Sequence, residues 1–303
     1  LVIRQYVNNR VVQIAALTIL ALGLLSIFTK STSRDDGLRF AGDNPAKVSQ
    51  RMRVECPKPG PGTLVLVGLG QSNAGNWGEL TTGDNKREDD VIEYWQGNCY
   101  VAVSPMLGAT GEGASLWPQF GQAMIQAGLA KQVLFSVFAV DGAAIGRFVP
   151  QGDLWPLWRT QLKQLREKYP VDYYLWLQGE ADFARRTSKE EYTEKFGRMR
   201  QGIEELDTSA LVFVPVETYC ANIERWTPSN DVSRAQSDIP KVFPGTLPGV
   251  NMDALLAKKN ARWDGCHPST QGYAILSDAW KMRIIQEMHA RTSVVSNSSQ
   301  VLQ

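Results

Sequence analysis

The chain has 303 residues, 43% hydrophobic and 21% charged, which supplies enough apolar mass for a sizeable core and excludes a disordered chain. With 32 Lys and Arg against 31 Asp and Glu and no block of five like charges, a protein that binds nucleic acid by neutralising phosphates is excluded, and no nucleic-acid partner is expected. Two histidines and four scattered cysteines without a CxxC pair cannot build the usual zinc sites, so neither a metal nor a cofactor is expected.

After a short tail, residues 1–10, the stretch 11–28 is an uncharged run interrupted only by Gln13, Thr18, Gly23 and Ser26. As a helix it would be about 27 Å long, close to the thickness of a bilayer core. The residues that follow, Thr29-Lys30-Ser31-Thr32-Ser33, lack the small-residue site of a cleaved signal peptide, and the apolar residues surround the helix instead of marking one stripe. One N-terminal transmembrane anchor is therefore expected at 11–28. Arg4 and Arg10 before it and Lys30, Arg34 and Arg39 after it do not choose an orientation. An even number of cysteines suits an exported domain, on the periplasmic or extracellular side. Such a single-pass protein also leaves room for a membrane-protein partner. Residues 29–62 are polar and end in Cys56-Pro57-Lys58-Pro59-Gly60-Pro61-Gly62, the composition of a linker.

From Thr63 onward, continuous apolar runs at 63–69, 133–140, 171–178 and 211–217 read as strands covered on both faces. Helical spacing of apolar residues occupies 119–131, 159–169, 189–206 and 270–291. The alternation predicts an α/β domain over 63–291, three layers (α/β/α) around a parallel, flavodoxin-like sheet, with a flexible tail at 292–303.

In such sheets the working residues sit at the carboxyl ends of strands. The first strand runs into Gly68-Leu69-Gly70-Gln71-Ser72-Asn73-Ala74-Gly75, presenting Ser72 at a strand-to-loop turn among small residues, where a nucleophile finds backbone N–H groups nearby. Asn73 beside it is expected to touch substrate. A dinucleotide fingerprint fails, because GxGxxG needs glycine where Asn73 stands. Near the other end lies Asp264-Gly265-Cys266-His267-Pro268. A carboxylate three residues before a histidine reaches Nδ1 and fixes the tautomer whose Nε2 takes a proton from serine. The third strand ends in Gln178-Gly179-Glu180-Ala181-Asp182, where Gln178 can donate to an oxyanion and Glu180 can either orient the histidine or cap a helix.

Together, Gly70-Gln71-Ser72-Asn73, Gln178-Gly179-Glu180-Ala181-Asp182 and Asp264-x-x-His267-Pro268 resemble the SGNH (GDSL-like) hydrolase superfamily, and within it the sialate O-acetylesterase-like, carbohydrate acetylesterase branch. The resemblance implies Ser72 as nucleophile, His267 as base, and the N–H groups of Ser72 and Gly142 with the Gln178 amide as oxyanion donors. Asp141 and Ala143 stand where the branch has glycine and threonine around Gly142, which puts the oxyanion loop in question. The third triad member is Asp264 or Glu180, since this chain keeps both.

The expectation is a membrane-anchored serine esterase that removes acetyl from a glycan through an acyl-enzyme. A glycan acetyltransferase and a non-catalytic accessory subunit are the alternatives. The loop-like placing of Trp77, Trp95, Trp117, Trp155, Trp158 and Trp226 offers aromatic faces for sugar rings, within a polar rim of Asn73, Asn76, Glu79, Glu112, Gln151, Asp153, Asp182 and Arg185. Export predicts two disulfides: Cys220 with Cys266, which would hold the histidine loop against the sheet, and Cys56 with Cys99.

Overall fold

The computed structural model describes residues 38–81, 89–223 and 225–300, with side chains to Arg291. The run at 11–28 lies outside the described residues, among which no helix is long and apolar enough to cross a membrane.

Eight strands form one sheet: β1 (Arg53–Val54), β2 (Thr63–Gly70), β3 (Val91–Trp95), β4 (Asn98–Val101), β5 (Gln132–Ala139), β6 (Tyr173–Leu177), β7 (Val212–Val216) and β8 (Thr246–Asn251), in the order β1-β4-β3-β5-β2-β6-β7-β8. From β3 to β8 all neighbours are parallel, whereas β4 pairs antiparallel with β3 and with β1. Helices α1 (Pro45–Ser49), α2 (Leu116–Gln126), α3 (Trp155–Arg166), α4 (Glu180–Arg185), α5 (Lys189–Glu204), α6 (Asp231–Val242), α7 (Met252–Leu255) and α8 (Thr270–Gln300) complete the described elements.

Alternation along the strands divides the core. Leu64 and Leu66 of β2, with Val133 and Phe135 of β5, meet Trp117, Phe120 and Met124 of α2 and Leu276, Trp280 and Ile284 of α8. On the opposite face the Trp176 indole of β6 donates to the Tyr192 hydroxyl of α5 at 3.1 Å and meets the Phe148 ring edge-on. Both sheet faces are thus covered, as the continuous apolar runs require.

The three-layer architecture agrees with expectation, and β5-β2-β6-β7-β8 follow the flavodoxin-like order 2-1-3-4-5; the departure from a purely parallel sheet is the β3–β4 hairpin, added beyond β5. The two longest apolar strands, β2 and β5, pair over their full eight residues from Thr63↔Gln132 to Gly70↔Ala139, so they occupy the centre and displace the β3–β4 hairpin outward. Two further expectations are corrected. The compact domain begins at Arg39 and not at 63: the Gly42 N–H donates to the Leu107 carbonyl at 2.8 Å, Phe40 packs on Trp95 and Phe138, and β1 is a strand. Apolar Phe40 and Ala41 and the Cys56 anchor give part of the supposed linker something to bind. The tail from 292, expected to be flexible, continues α8 to Gln300, because no Gly or Pro interrupts the helix there.

Neither sheet edge is long and open. At one end β1 has two residues; at the other β8 contains Pro248, whose carbonyl accepts the Arg283 Nε–H at 2.7 Å. The strand order reverses around β2, since β5 lies on one side of it and β6 on the other. That leaves a crevice at their carboxyl ends.

Candidate active site

Ser72 opens a single 3-10 turn, Ser72–Ala74, directly beyond β2 and is only 3% exposed. The turn is crowded against β6: a Cβ on Gly70 would stand 1.8 Å from the Leu177 carbonyl oxygen, so only glycine lets the strand pass there. The Gln71 N–H donates to the Leu177 carbonyl at 2.9 Å, while the Gln71 side-chain oxygen accepts from the N–H of Ala181 at 3.2 Å and from Gln178 Nε2 at 3.2 Å. The Ser72 turn is thereby sewn to the start of α4.

His267 arrives on the loop between α7 and α8. Its Nδ1 lies 2.6 Å from Asp264 Oδ2, and Asp264 Oδ1 accepts the N–H groups of Cys266 at 2.8 Å and His267 at 2.7 Å. Partial burial pushes the Asp264 carboxyl up, but the imidazole and these two N–H groups outweigh it and hold the carboxyl below its usual range, ionised. The histidine loop is fixed to the segment that follows Ser72 by three links. Trp77, five residues after Ser72, stacks on the imidazole with centroids 5.7 Å apart and planes 30° apart. The Trp263 indole donates to the Trp77 carbonyl at 3.0 Å, and Glu79 both donates its N–H to the Pro268 carbonyl and accepts from the Thr270 N–H, each at 3.1 Å. A disulfide joins Cys220, just past β7, to Cys266, and a second joins Cys56 to Cys99, as expected from sequence.

Gly142 lies beyond β5 with φ +58°, a left-handed conformation that glycine adopts without cost, in a loop where Asp141 comes within electrostatic reach of His267. The Gly142 N–H faces the Asp141 carboxylate, which an incoming oxyanion would have to displace. Ser72, Gly142 and the Asp264–His267 pair are therefore gathered at one edge of the sheet.

The structure gives other predicted residues different tasks. Gln178 is fully buried, and its two amide hydrogens face three acceptors: Asp182 Oδ2 at 2.6 Å, the Ala143 carbonyl at 3.2 Å and Gln71. No N–H is left for an oxyanion; Gln178 braces the Gly142 loop, assisted by Asp182, which also accepts the Ile145 N–H at 2.7 Å. Asn73 is not at the substrate surface, because its buried Nδ2 donates to Glu180 Oε1 at 2.5 Å. Glu180 in turn does not orient His267. It is paired with Glu217, at the end of β7, and burial raises both carboxyls; the Glu180 charge raises Glu217 further, to well above its usual range. Sequence reading stopped at Glu217 as a strand terminus, although its place at the catalytic edge was the available signal.

Of the expected polar rim, Asn73, Asn76 and Asp182 are buried. Asn76 is used up bracing Met106 and Ala109. Trp95, Trp117 and Trp158 are core residues on β3, α2 and α3, and Trp155 opens α3; Trp77 and Trp226 alone of the six are loop residues. Trp263, absent from that set, is 52% exposed beside the histidine. Among the described residues no group of His, Cys, Asp or Glu is arranged to hold a metal ion.

Residues 63–276 match the sequence profile of a carbohydrate esterase family, the sialic acid-specific acetylesterases. The chain belongs to this family. As a carbohydrate esterase it is a carboxylic ester hydrolase of the acetylesterase type, and the matched span runs from β2 into α8, enclosing Ser72 and His267. No curated protein sequence matches the chain. Among solved structures, the esterase fold is shared with a protein from Arabidopsis thaliana (16% identity, 73% of this chain and 97% of that one, TM-score 0.55). It is shared also with NanS (13%, 78% and 100%, TM-score 0.52) and with a carbohydrate acetylesterase from Xanthomonas citri (18%, 72% and 56%, TM-score 0.51).

Proposed function

We propose that the chain removes O-acetyl groups from a glycan through an acyl-enzyme on Ser72, and that residues 11–28 anchor it in a membrane with the esterase domain exported. The observation that carries the catalytic reading is the 2.6 Å contact between His267 Nδ1 and Asp264, on a loop stacked and hydrogen-bonded to the segment that follows Ser72. Asp264 accepts a hydrogen bond from the Nδ1–H, which holds the proton there and leaves the Nε2 lone pair free to act as the base. Ser72 Oγ attacks the acetyl carbonyl carbon while its proton passes to Nε2. The Ser72 backbone N–H, which makes no hydrogen bond among the described residues, and the Gly142 N–H receive the developing oxyanion. Collapse expels the sugar alkoxide with the proton from Nε2; a water then repeats the sequence, releasing acetate and restoring Ser72.

Support for export comes from the two disulfides, which persist in oxidising compartments. The stacked Trp77 and exposed Trp263 beside the histidine favour a flat, hydroxylated ring over an acyl chain. The test is kcat/KM of the full chain for acetyl, butyryl and octanoyl esters of one alcohol. Activity that falls steeply with chain length is expected, because a recess fitted to acetyl rejects added methylenes; activity rising toward octanoyl would refute the glycan reading while leaving the serine mechanism standing.

A further inference from the structure

A second concavity opens on the same edge of the sheet, between the end of α4 and the first turn of α6. Its volume is about 290 Å³, and its lining includes Phe183, Arg186, Arg225, Asp231 and Arg234. The charge there is unbalanced. Arg234 is paired with Asp231, but the exposed side chains of Arg186 and Arg225 have no ion-pair or hydrogen-bond partner among the described residues. Several helix arginines elsewhere are matched by acids: Arg159 by Glu205, Arg200 by Glu204 and Arg283 by Glu287. The local excess does not follow from a basic chain either, since the net charge is +1.

One residue links the end of α4, beside the concavity, to the Gly142 loop. Arg185, the last of α4, donates Nη1 to the carbonyl of Gly142 at 3.3 Å and to that of Ala181 at 3.2 Å, so the cationic end of α4 begins at the oxyanion loop. Arg186 follows it in a left-handed conformation, φ +60°, and turns the chain toward Arg225. A row of guanidinium groups therefore leads from Gly142 to α6. A neutral acetylated sugar gives such a row nothing to bind, whereas planar guanidinium forks match the two oxygens of a carboxylate or the face of a sulfate.

We propose that this concavity is a subsite for an oxyanion-bearing sugar unit, so that the substrate is an acidic polysaccharide whose acetylated unit lies at Ser72 while a neighbouring charged unit lies over Arg186 and Arg225. The inference rests on the esterase reading above and names the class of glycan that reading left open. Neither arginine belongs to the catalytic machinery, so both can be removed without touching it.

The test compares the full-length wild type with Arg186→Ala, Arg225→Ala and the double variant on three substrates: a chromogenic acetyl ester, neutral acetylated xylan and acetylated polygalacturonate. The double variant is expected to raise KM for the polygalacturonate about tenfold, with kcat within about twofold and the other two substrates unaffected. In wild type the preference for the acidic polymer should shrink toward the neutral one in about 0.5 M salt. Equal KM for wild type and double variant on the acidic polymer, or an equal loss on xylan, overturns the subsite. Calorimetric titration of oligogalacturonate and of a sulfated xylo-oligosaccharide into the Ser72→Ala protein provides a readout independent of turnover. Binding of either that disappears in the Arg186, Arg225 background supports the subsite and identifies its anion, and binding of neither overturns it. A wild type that leaves the chromogenic ester intact would refute the esterase reading instead, with the titration still deciding the subsite.

Discussion

The two halves of the catalytic edge are held by different physics. Around Ser72 everything is buried and polar: Gln71, Asn73, Asn76, Gln178, Glu180 and Asp182 bond to one another and to loop backbones, and Glu93 of β3 accepts the Leu107 N–H in the loop that Asn76 also braces. Around His267 the chain is half open, and what fixes it is covalent or aromatic: the Cys220–Cys266 bridge, the Trp77 stack and the short Asp264 turn. A buried network without bridges responds to protonation, whereas an exposed loop tied by sulfur responds to reduction. The nucleophile side should thus fail with pH and the base side with redox conditions.

The largest effect expected is on the chemistry that both halves serve. Ser72→Ala and His267→Ala should each lower turnover of an acetyl ester by about three to six orders of magnitude, with the double variant no worse, because the pair acts as one unit. Clearly additive losses in steady-state kinetics would show that the two sides do not form a single site.

Next comes the orienting acid. Asp264→Asn is expected to cost about 10²–10⁴ in kcat, far more than Glu180→Gln, since among the described residues it is Asp264 that reaches Nδ1. The depressed Asp264 carboxyl stays ionised on acidification until below the usual carboxylate range, so protonation of this acid should not limit activity at mildly acidic pH. A larger kcat defect in the Glu180 variant would move control of the histidine to the buried side.

The bridges sharpen the comparison directly. Each closes a span of more than 40 residues, 43 for Cys56–Cys99 and 46 for Cys220–Cys266, and each should stabilise the fold by about 2–4 kcal/mol in denaturant titrations. Their effects on activity should differ: at temperatures where both variants stay folded, Cys266→Ser should lower kcat while Cys99→Ser leaves it unchanged.

The smallest effect concerns Glu93. Burial, opposed by Arg51 and the Leu107 N–H, pushes its carboxyl up to about 7. A raised carboxyl favours the folded state below its unfolded pKa and loses that contribution as pH rises through the folded value. Stability should fall by about 3 kcal/mol between pH 4.5 and above 7, a loss that Glu93→Gln removes. Urea midpoints at pH 5 and pH 8 measure it; a wild-type midpoint that does not move would show that Glu93 is compensated elsewhere.

What could be read from sequence follows the same division. The strands β2, β5, β6 and β7 are uninterrupted apolar runs and were legible, as were α5 and the start of α8. The β3–β4 hairpin was not, because Glu93 lies inside a short strand and its meaning as a buried acceptor appears only when Leu107 is placed beside it. On the base side, Asp264 and His267 are three residues apart and both disulfides were paired correctly, since local spacing and a small cysteine count leave few choices. On the nucleophile side Ser72 was visible, but Asn73 and Gln178 were given substrate tasks. The partner of Asn73, Glu180, lies beyond another strand, and that of Gln178, Asp182, is four residues further along the same segment; no sequence spacing says which way an amide turns. Trp263 was missed because nothing marks one tryptophan in a loop as the neighbour of a histidine until the loop is folded.

The blunted margins of the sheet bear on how the protein behaves in company. A two-residue strand at one side and a proline-bearing strand whose carbonyl is occupied by Arg283 at the other leave little main chain for a foreign strand to add to. A domain crowded among copies of itself should therefore resist recruitment into ribbons by β-augmentation, and any partner must meet it through side chains.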